Sequence, residues 1–475
     1  MAPAISSGWP GRGMGIRRSY SSGQRSRTRR SIGVSTPPAT TATLSANPEG
    51  KAIISCTVVS GRSRCSLTGV TGLRHGRPME QLRQPVATGD IAGTYDPRWR
   101  PVVDRFAANF AQYDEVGASC CVVHDGTTVV DIWGGAADPE TGRPWEADTI
   151  SVVHSCTKGA TALCAHVLAS RGELDIEAPV AEYWPEFAAN GKAKATVRMM
   201  LDHSVGVPVF RHKVERGELY EWDRVIGRLE AEEPHWEPGT RNGYHMLNFG
   251  WTVGELVRRV SGRSLGTFFA EEVCRPRGID FWIGLPESEE ARVAPMIPYV
   301  RAKGEPLSAF ALDMVQDRSS IPGMAIANIA RMEMNAREAH AAEIGGGGGI
   351  TNARGLARMY TPLAAGGGDL VSRETLDRMR AVSVATNDDA VLRIATRFAL
   401  GFMVTMDNRA KAETDSVILG DRAFGHVGAG GSIGFADIDH SLAFGYSMNR
   451  MGPGILLNER GQGLVDAAYD VARLR

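Results

Sequence analysis

The stretch SVVHSCTKGATAL, residues 151–163, decides how this chain is read. Two β-branched valines precede a serine, and Ala and Leu dominate the residues that follow, in a pattern that favours a helix continuing through CAHVLAS to a stop at Gly172. Ser155 therefore stands at the start of a predicted helix, and Lys158 lies about one turn later on the same face, within reach of the serine hydroxyl. A serine needs a partner to take its proton, and a desolvated lysine can be neutral enough to do so. The helix amino terminus adds positive potential where a tetrahedral intermediate gathers negative charge. The competing reading of the same four residues is an N-capping serine followed by a solvent-facing lysine.

A second serine competes for the role. GGSIG, residues 430–434, spells Gly-x-Ser-x-Gly, the pattern of the α/β-hydrolase nucleophile elbow. An elbow needs a strand before the serine, a helix after it, and an acid and a histidine further on. Instead Ser432 is followed by alternating Ile433, Gly434, Phe435 and Ala436, a turn, and another strand. With 55 glycines in the chain a chance match is unsurprising, so Ser432 is expected to line or brace a cleft.

Around these motifs the organisation is that of an α/β (α+β) protein. TYDPRWRPVVDRFAANF predicts a helix with Val102, Val103, Phe106 and Phe110 on one face. SCCVVHDGTTVVDIWGG predicts two strands joined at Asp125-Gly126. FALGFMVTM, RAFGHVGAGGSIGFADID and SLAFGYSMN read as successive strands, and GLVDAAYDVARL as a closing helix. The run GGGGGI, residues 345–350, is expected to be a tight loop entering a helix capped by Thr351 or Asn352. The expected catalytic domain is 91–475, with its body drawn from 91–173 and 344–475 around a helical insertion at 174–343.

Composition narrows the function classes. At 475 residues the chain can bury a large core, and a net charge of −1 offers no global field for nucleic acid. No apolar run approaches the length of a membrane-spanning helix. Seven scattered cysteines show neither metal-ligand spacing nor a disulfide framework, which favours a reducing, cytoplasmic compartment and no metal or cofactor. Residues 1–90 are expected to be a structureless basic extension. The arginines before Asn47 also suit an organellar transit peptide, Arg29-Arg30 a twin-arginine signal, and Met79 a later translation start.

Taken together, SVVHSCTKGATAL, WEPGTRNGYHMLNFGW and FGHVGAGGSIGF resemble, in that order, the serine β-lactamase and penicillin-binding-protein superfamily, most of all its esterase branch, the family VIII carboxylesterases similar to class C β-lactamases. The resemblance implies a central antiparallel sheet flanked by helices plus a helical subdomain. It implies Ser155 as the acylated nucleophile, Lys158 as its activating partner and Tyr244 as a general base whose phenolate Lys158 favours. It places His245, His426 and Gly428 against the substrate, and the backbone N–H groups of Ser155 and Ala429 in an oxyanion hole. Taken singly, Tyr244 would be a core tyrosine and His426 an ordinary strand histidine.

Two departures favour esters over antibiotics. Met246 stands where lactamases carry an asparagine, and His426 replaces the lysine of Lys-Thr-Gly. The expected activity is metal-free hydrolysis of a small-molecule carboxylic ester. A β-lactamase or D-amino-acid peptidase, an acyltransferase to an alcohol, and a non-catalytic relative are the alternatives.

Overall fold

In the computed structural model the described residues are 78–329, 332–409 and 415–473, with three strands nearer the amino terminus. The chain divides into two units, Met1–Gly76 and Arg77–Arg475. In the first, Thr41–Thr43, Ile54–Val59 and Arg62–Leu67 form an antiparallel ladder. The expected structureless extension thus contains regular pairing. IISCTVV is rich in β-branched residues and is separated from RSRCSL by the dipeptide Ser-Gly in the sequence, a hairpin signal hidden by the basic composition around it. The rest of the expected extension before Thr41 lies outside the described residues.

The second unit is built on an antiparallel sheet. Its first strands are β1 (Glu80–Val86) and β2 (Gly89–Tyr95), so the sheet begins ahead of the expected boundary at 91. Leu82, Ile91 and Tyr95 are their main inward anchors, and the polar residues between them disguise an edge hairpin as a tail. Helix α1 (Arg100–Gln112) buries Val102, Val103, Phe106 and Phe110, as its spacing predicts. Strands β3 (Gly117–His124) and β4 (Thr127–Asp138) meet at Asp125 and Gly126, with φ of 50° and 71°, the left-handed pair of a tight hairpin.

After the short strand β5 (Ser151–Val152) comes α2 (Cys156–Ser170). Thirteen of its fifteen residues are buried, so it is a core helix gripped on all sides. The middle of the chain is mostly short helices with one longer one, α3 (Asn248–Ser261), packed on α2. It also contains an unexpected strand, β6 (Phe281–Trp282). This pairs with β7 (Ile350–Thr351), which pairs with β5, and so ties the middle segment to the body just before Ser155.

Residues 345–349 are all buried, and α4 (Ala353–Ala364) starts immediately beyond, with the Asn352 side chain accepting from the Gly355 N–H at 3.0 Å. The glycine run is a packed loop, as expected.

The sheet is completed by β8 (Val384–Thr386), β9 (Thr396–Phe398), β10 (Met403–Val404), β11 (Ala423–Val427), β12 (Ile433–Asp437) and β13 (Leu442–Met448). Its order is β8-β9-β10-β11-β12-β13-β3-β4-β2-β1, antiparallel throughout, with Arg143–Pro144 added beside β4. FALGFMVTM is thus two strands, not one. The chain reverses at Gly401, whose φ is 84° and whose Cβ position would lie 2.3 Å from Ala162 on α2. The closing helix α5 (Glu459–Ala472) lies against α1. Among the described residues no helix is long and apolar enough to cross a membrane.

The sheet edge sets a test of the domain boundary. A chain beginning at Arg77 is expected to give a cooperative melt and to retain activity. One beginning at residue 91 lacks β1 and the start of β2 and is expected to melt lower or to aggregate through the exposed edge of β2, which β1 covers in the full chain. Thermal unfolding of the two truncations checks this.

Candidate active site

The site starts from a strained turn. Between β5 and α2, His154 has φ 45°, a conformation that costs a residue with a side chain about 1–2 kcal/mol and that fixes the next residue at the helix edge. Ser155 occupies the N-cap, yet its side chain makes no capping bond, so the hydroxyl is left for other partners. One turn on, Lys158 is fully buried, and its Nζ lies 3.0 Å from Ser155 Oγ. The same nitrogen is 2.6 Å from the Met246 carbonyl and 2.6 Å from that of Gly346.

That set of three oxygens suits both protonation states. As an amine, Lys158 gives its two hydrogens to the two carbonyls and turns its lone pair to the Ser155 hydroxyl. As an ammonium, it donates to all three. Burial without a carboxylate partner pushes its pKa well below the usual lysine value. The solvent-facing alternative is thereby excluded. Met246 contributes through its backbone, which any residue at that position would supply.

Tyr244 completes the cluster. Its hydroxyl is hydrogen-bonded with Ser155, and its ring centroid lies 4.7 Å from Lys158 Nζ. Burial raises the phenol pKa, so Tyr244 is a neutral phenol at rest; the expected phenolate is disfavoured because no cation offsets the loss of water around it.

The backbone of Tyr244 is held from a distance. Its N–H donates to both carboxylate oxygens of Asp389, at 3.0 and 3.1 Å, and Asp389 also accepts from the N–H groups of Val391 and Leu392 and from the Thr396 hydroxyl. His203, with φ 68°, lies beneath, its ring 4.9 Å from that of Tyr244 and 4.7 Å from that of Phe398. Neither Asp389 nor His203 stands in a motif, and only the fold brings them to the tyrosine.

His245 does not face a substrate. Its Nδ1 lies 2.7 Å from the Gly243 carbonyl and its Nε2 accepts from the Val207 N–H at 3.1 Å, so both ring nitrogens brace backbone. The expected substrate contact is corrected on that ground. His426 is on the site side: its ring centroid is 6.1 Å from that of Tyr244, and Nδ1 lies 2.7 Å from the Val427 carbonyl.

The loop after β11 is pressed against the serine's turn. A Cβ on Gly428 would sit 2.2 Å from both the Val153 carbonyl oxygen and Ser432 Oγ, so only glycine fits. Ser432 is 1 % exposed and its hydroxyl donates to that same carbonyl at 3.1 Å. It is a brace between β12 and the Ser155 turn, in keeping with the hairpin predicted around it. The backbone N–H groups of Ser155 and Ala429 have no acceptor among the described residues.

This arrangement has known relatives. The β-lactamase family profile matches residues 103–467. An esterase/β-lactamase of Mycobacterium tuberculosis, LipL, is 35% identical over 397 residues, which cover 80% of this chain and 88% of that protein. The crystal structure of a family VIII carboxylesterase superposes with a TM-score of 0.71 at 40% identity, covering 80% of this chain and 99% of the other. A penicillin-binding-protein homologue from Caulobacter crescentus superposes with a TM-score of 0.71 at 33% identity, over 80% and 100%. With a profile match over most of its length, the chain belongs to the β-lactamase family, as a serine hydrolase in the esterase branch of the superfamily that joins β-lactamases and penicillin-binding proteins.

Proposed function

We propose that the protein cleaves small-molecule carboxylic esters through an acyl-enzyme on Ser155. The observation that carries this reading is the contact of Ser155 Oγ with a buried lysine nitrogen whose other two positions are taken by carbonyls. The Lys158 amine accepts the serine proton as Oγ attacks the ester carbonyl. The ammonium so formed lies against the Tyr244 ring face and the two carbonyls, which stabilise its charge. Tyr244, a phenol at rest, gives its proton to the departing alkoxide and is reprotonated from Lys158. The N–H groups of Ser155 and Ala429 are the donors for the oxyanion, assisted by the amino end of α2. Water then repeats the sequence and releases the acid.

The ester reading is favoured over β-lactam hydrolysis by His426. Burial, and then the neighbouring Lys158, push its pKa down to about 3, so a neutral ring stands where a lysine would hold a carboxylate. The hydroxyl of Ser155 and the groups around it need no metal or cofactor for this chemistry. The free, buried state of Cys120, Cys121, Cys156, Cys164 and Cys274 supports a reducing, cytoplasmic setting.

Trapping with a slow ester separates the two serines. Intact mass is expected to show one acyl adduct on the wild type and on Ser432→Ala, and none on Ser155→Ala. An adduct that survives in Ser155→Ala and vanishes in Ser432→Ala would reverse the assignment.

The pH profile tests the lysine. Since the active form is the amine and its pKa is depressed, kcat/KM should rise with pH and level off well below 10.5, and should fall on the acid side as Lys158 is protonated. Lys158→Arg, which cannot become neutral, is expected to lose at least about a thousandfold in kcat. A plateau reached only near the ordinary lysine value would show that burial does not hold Lys158 as an amine at rest.

A further inference from the structure

The imidazole of His426 is fixed in one tautomer. The Val427 carbonyl, 2.7 Å from Nδ1, can only accept, so Nδ1 carries the hydrogen and Nε2 the lone pair. The ring is 1 % exposed, and Nε2 meets no hydrogen-bond donor among the described residues. Folded proteins seldom leave a buried acceptor without a donor, and one on a ring 6.1 Å from that of Tyr244 points to a ligand that supplies the hydrogen. The ring stays neutral throughout the working pH range, so it offers a lone pair and never a charge.

What arrives beside Tyr244 once the first alcohol has left is the second nucleophile. Water brings two O–H bonds. One must break, its proton passing to the Lys158 amine as the oxygen bonds to the acyl carbon; the other survives into the product acid. A monohydric alcohol brings only the bond that breaks. We propose that Nε2 of His426 accepts the surviving O–H of water and so commits the acyl-enzyme to hydrolysis rather than to transfer onto an alcohol.

The proposal rests on the Ser155 acyl-enzyme described above. The step balances without a co-reactant. The tetrahedral adduct collapses by breaking the bond between the acyl carbon and Ser155 Oγ. Oγ recovers a proton from the Lys158 ammonium, and the amine is restored. His426 is in this sense a specificity-determining residue whose choice is between two second substrates.

Product partition reads this directly, because both products come from one intermediate and their ratio is independent of the acylation rate and of the folded fraction. With p-nitrophenyl butyrate and a fixed concentration of 2-methoxyethanol, His426→Phe is expected to lower the ratio of butyric acid to methoxyethyl ester about fivefold or more. His426→Leu should do the same if the larger ring is not accommodated.

An acid-to-ester ratio unchanged by both substitutions overturns the proposal. Absence of any acyl adduct on Ser155 would instead remove the parent reading and this one with it.

Discussion

Everything in the site depends on placing a lysine nitrogen where water cannot reach it. Lys158 is fully enclosed with oxygens of Ser155, Met246 and Gly346 around it and no carboxylate in contact. In water an amine of this kind is charged. Here the cost of burying the charge outweighs the gain from three neutral acceptors, so the base is available before the substrate arrives. The three oxygens come from three separate parts of the chain, which is why the middle segment, the glycine loop and α2 must all be assembled before the serine has a partner.

The tyrosine depends on the same enclosure in the opposite sense. Low polarity around Tyr244 keeps its proton on, while the lysine beside it is kept bare. One environment thus sets an acid and a base a few ångströms apart, with the serine hydroxyl between them. Asp389 serves this arrangement through the backbone. By collecting the N–H of Tyr244 with those of Val391 and Leu392, it fastens the tyrosine to the segment leading into β9. The turn before Ser155 is fastened from the other side by Ser432 and Gly428.

How much of this the sequence discloses depends on how local each feature is. Ser155 and Lys158 are three residues apart on one helix, so their contact is written in the spacing. The Asp125-Gly126 hairpin and the Asn352 cap are equally local. Ser432 is separable from a nucleophile elbow because Ile433 to Ala436 alternate as a strand rather than cycling as a helix. By contrast, Asp389 is 145 residues from the N–H it receives, and nothing in ATNDDAVLRIA marks it. His203 is invisible for the same reason. His245 misleads because its neighbour Tyr244 is a site residue, while the alternation of the backbone turns the next side chain toward Val207. The edge pair β1 and β2 hides behind polar, outward residues, since its deeply buried side chains are few: Leu82, Ile91 and Tyr95.

The run of glycines at 345–349 carries one more consequence. Gly346 presents the carbonyl that faces Lys158, and added side-chain carbons would lie 2.5 Å from Leu265 at Gly345, 2.4 Å from the Leu247 carbonyl at Gly346, 2.9 Å from Ile344 at Gly348 and 2.5 Å from Thr157 at Gly349. A sequence that would be the most pliable part of an unfolded chain is therefore one of the least negotiable walls of the folded one. Only Gly347, with its nearest neighbour at 3.6 Å, leaves ordinary contact distance for a methyl group. A side chain added elsewhere along this loop would press on Leu247, Leu265 or Thr157 and so displace the carbonyl that faces the lysine.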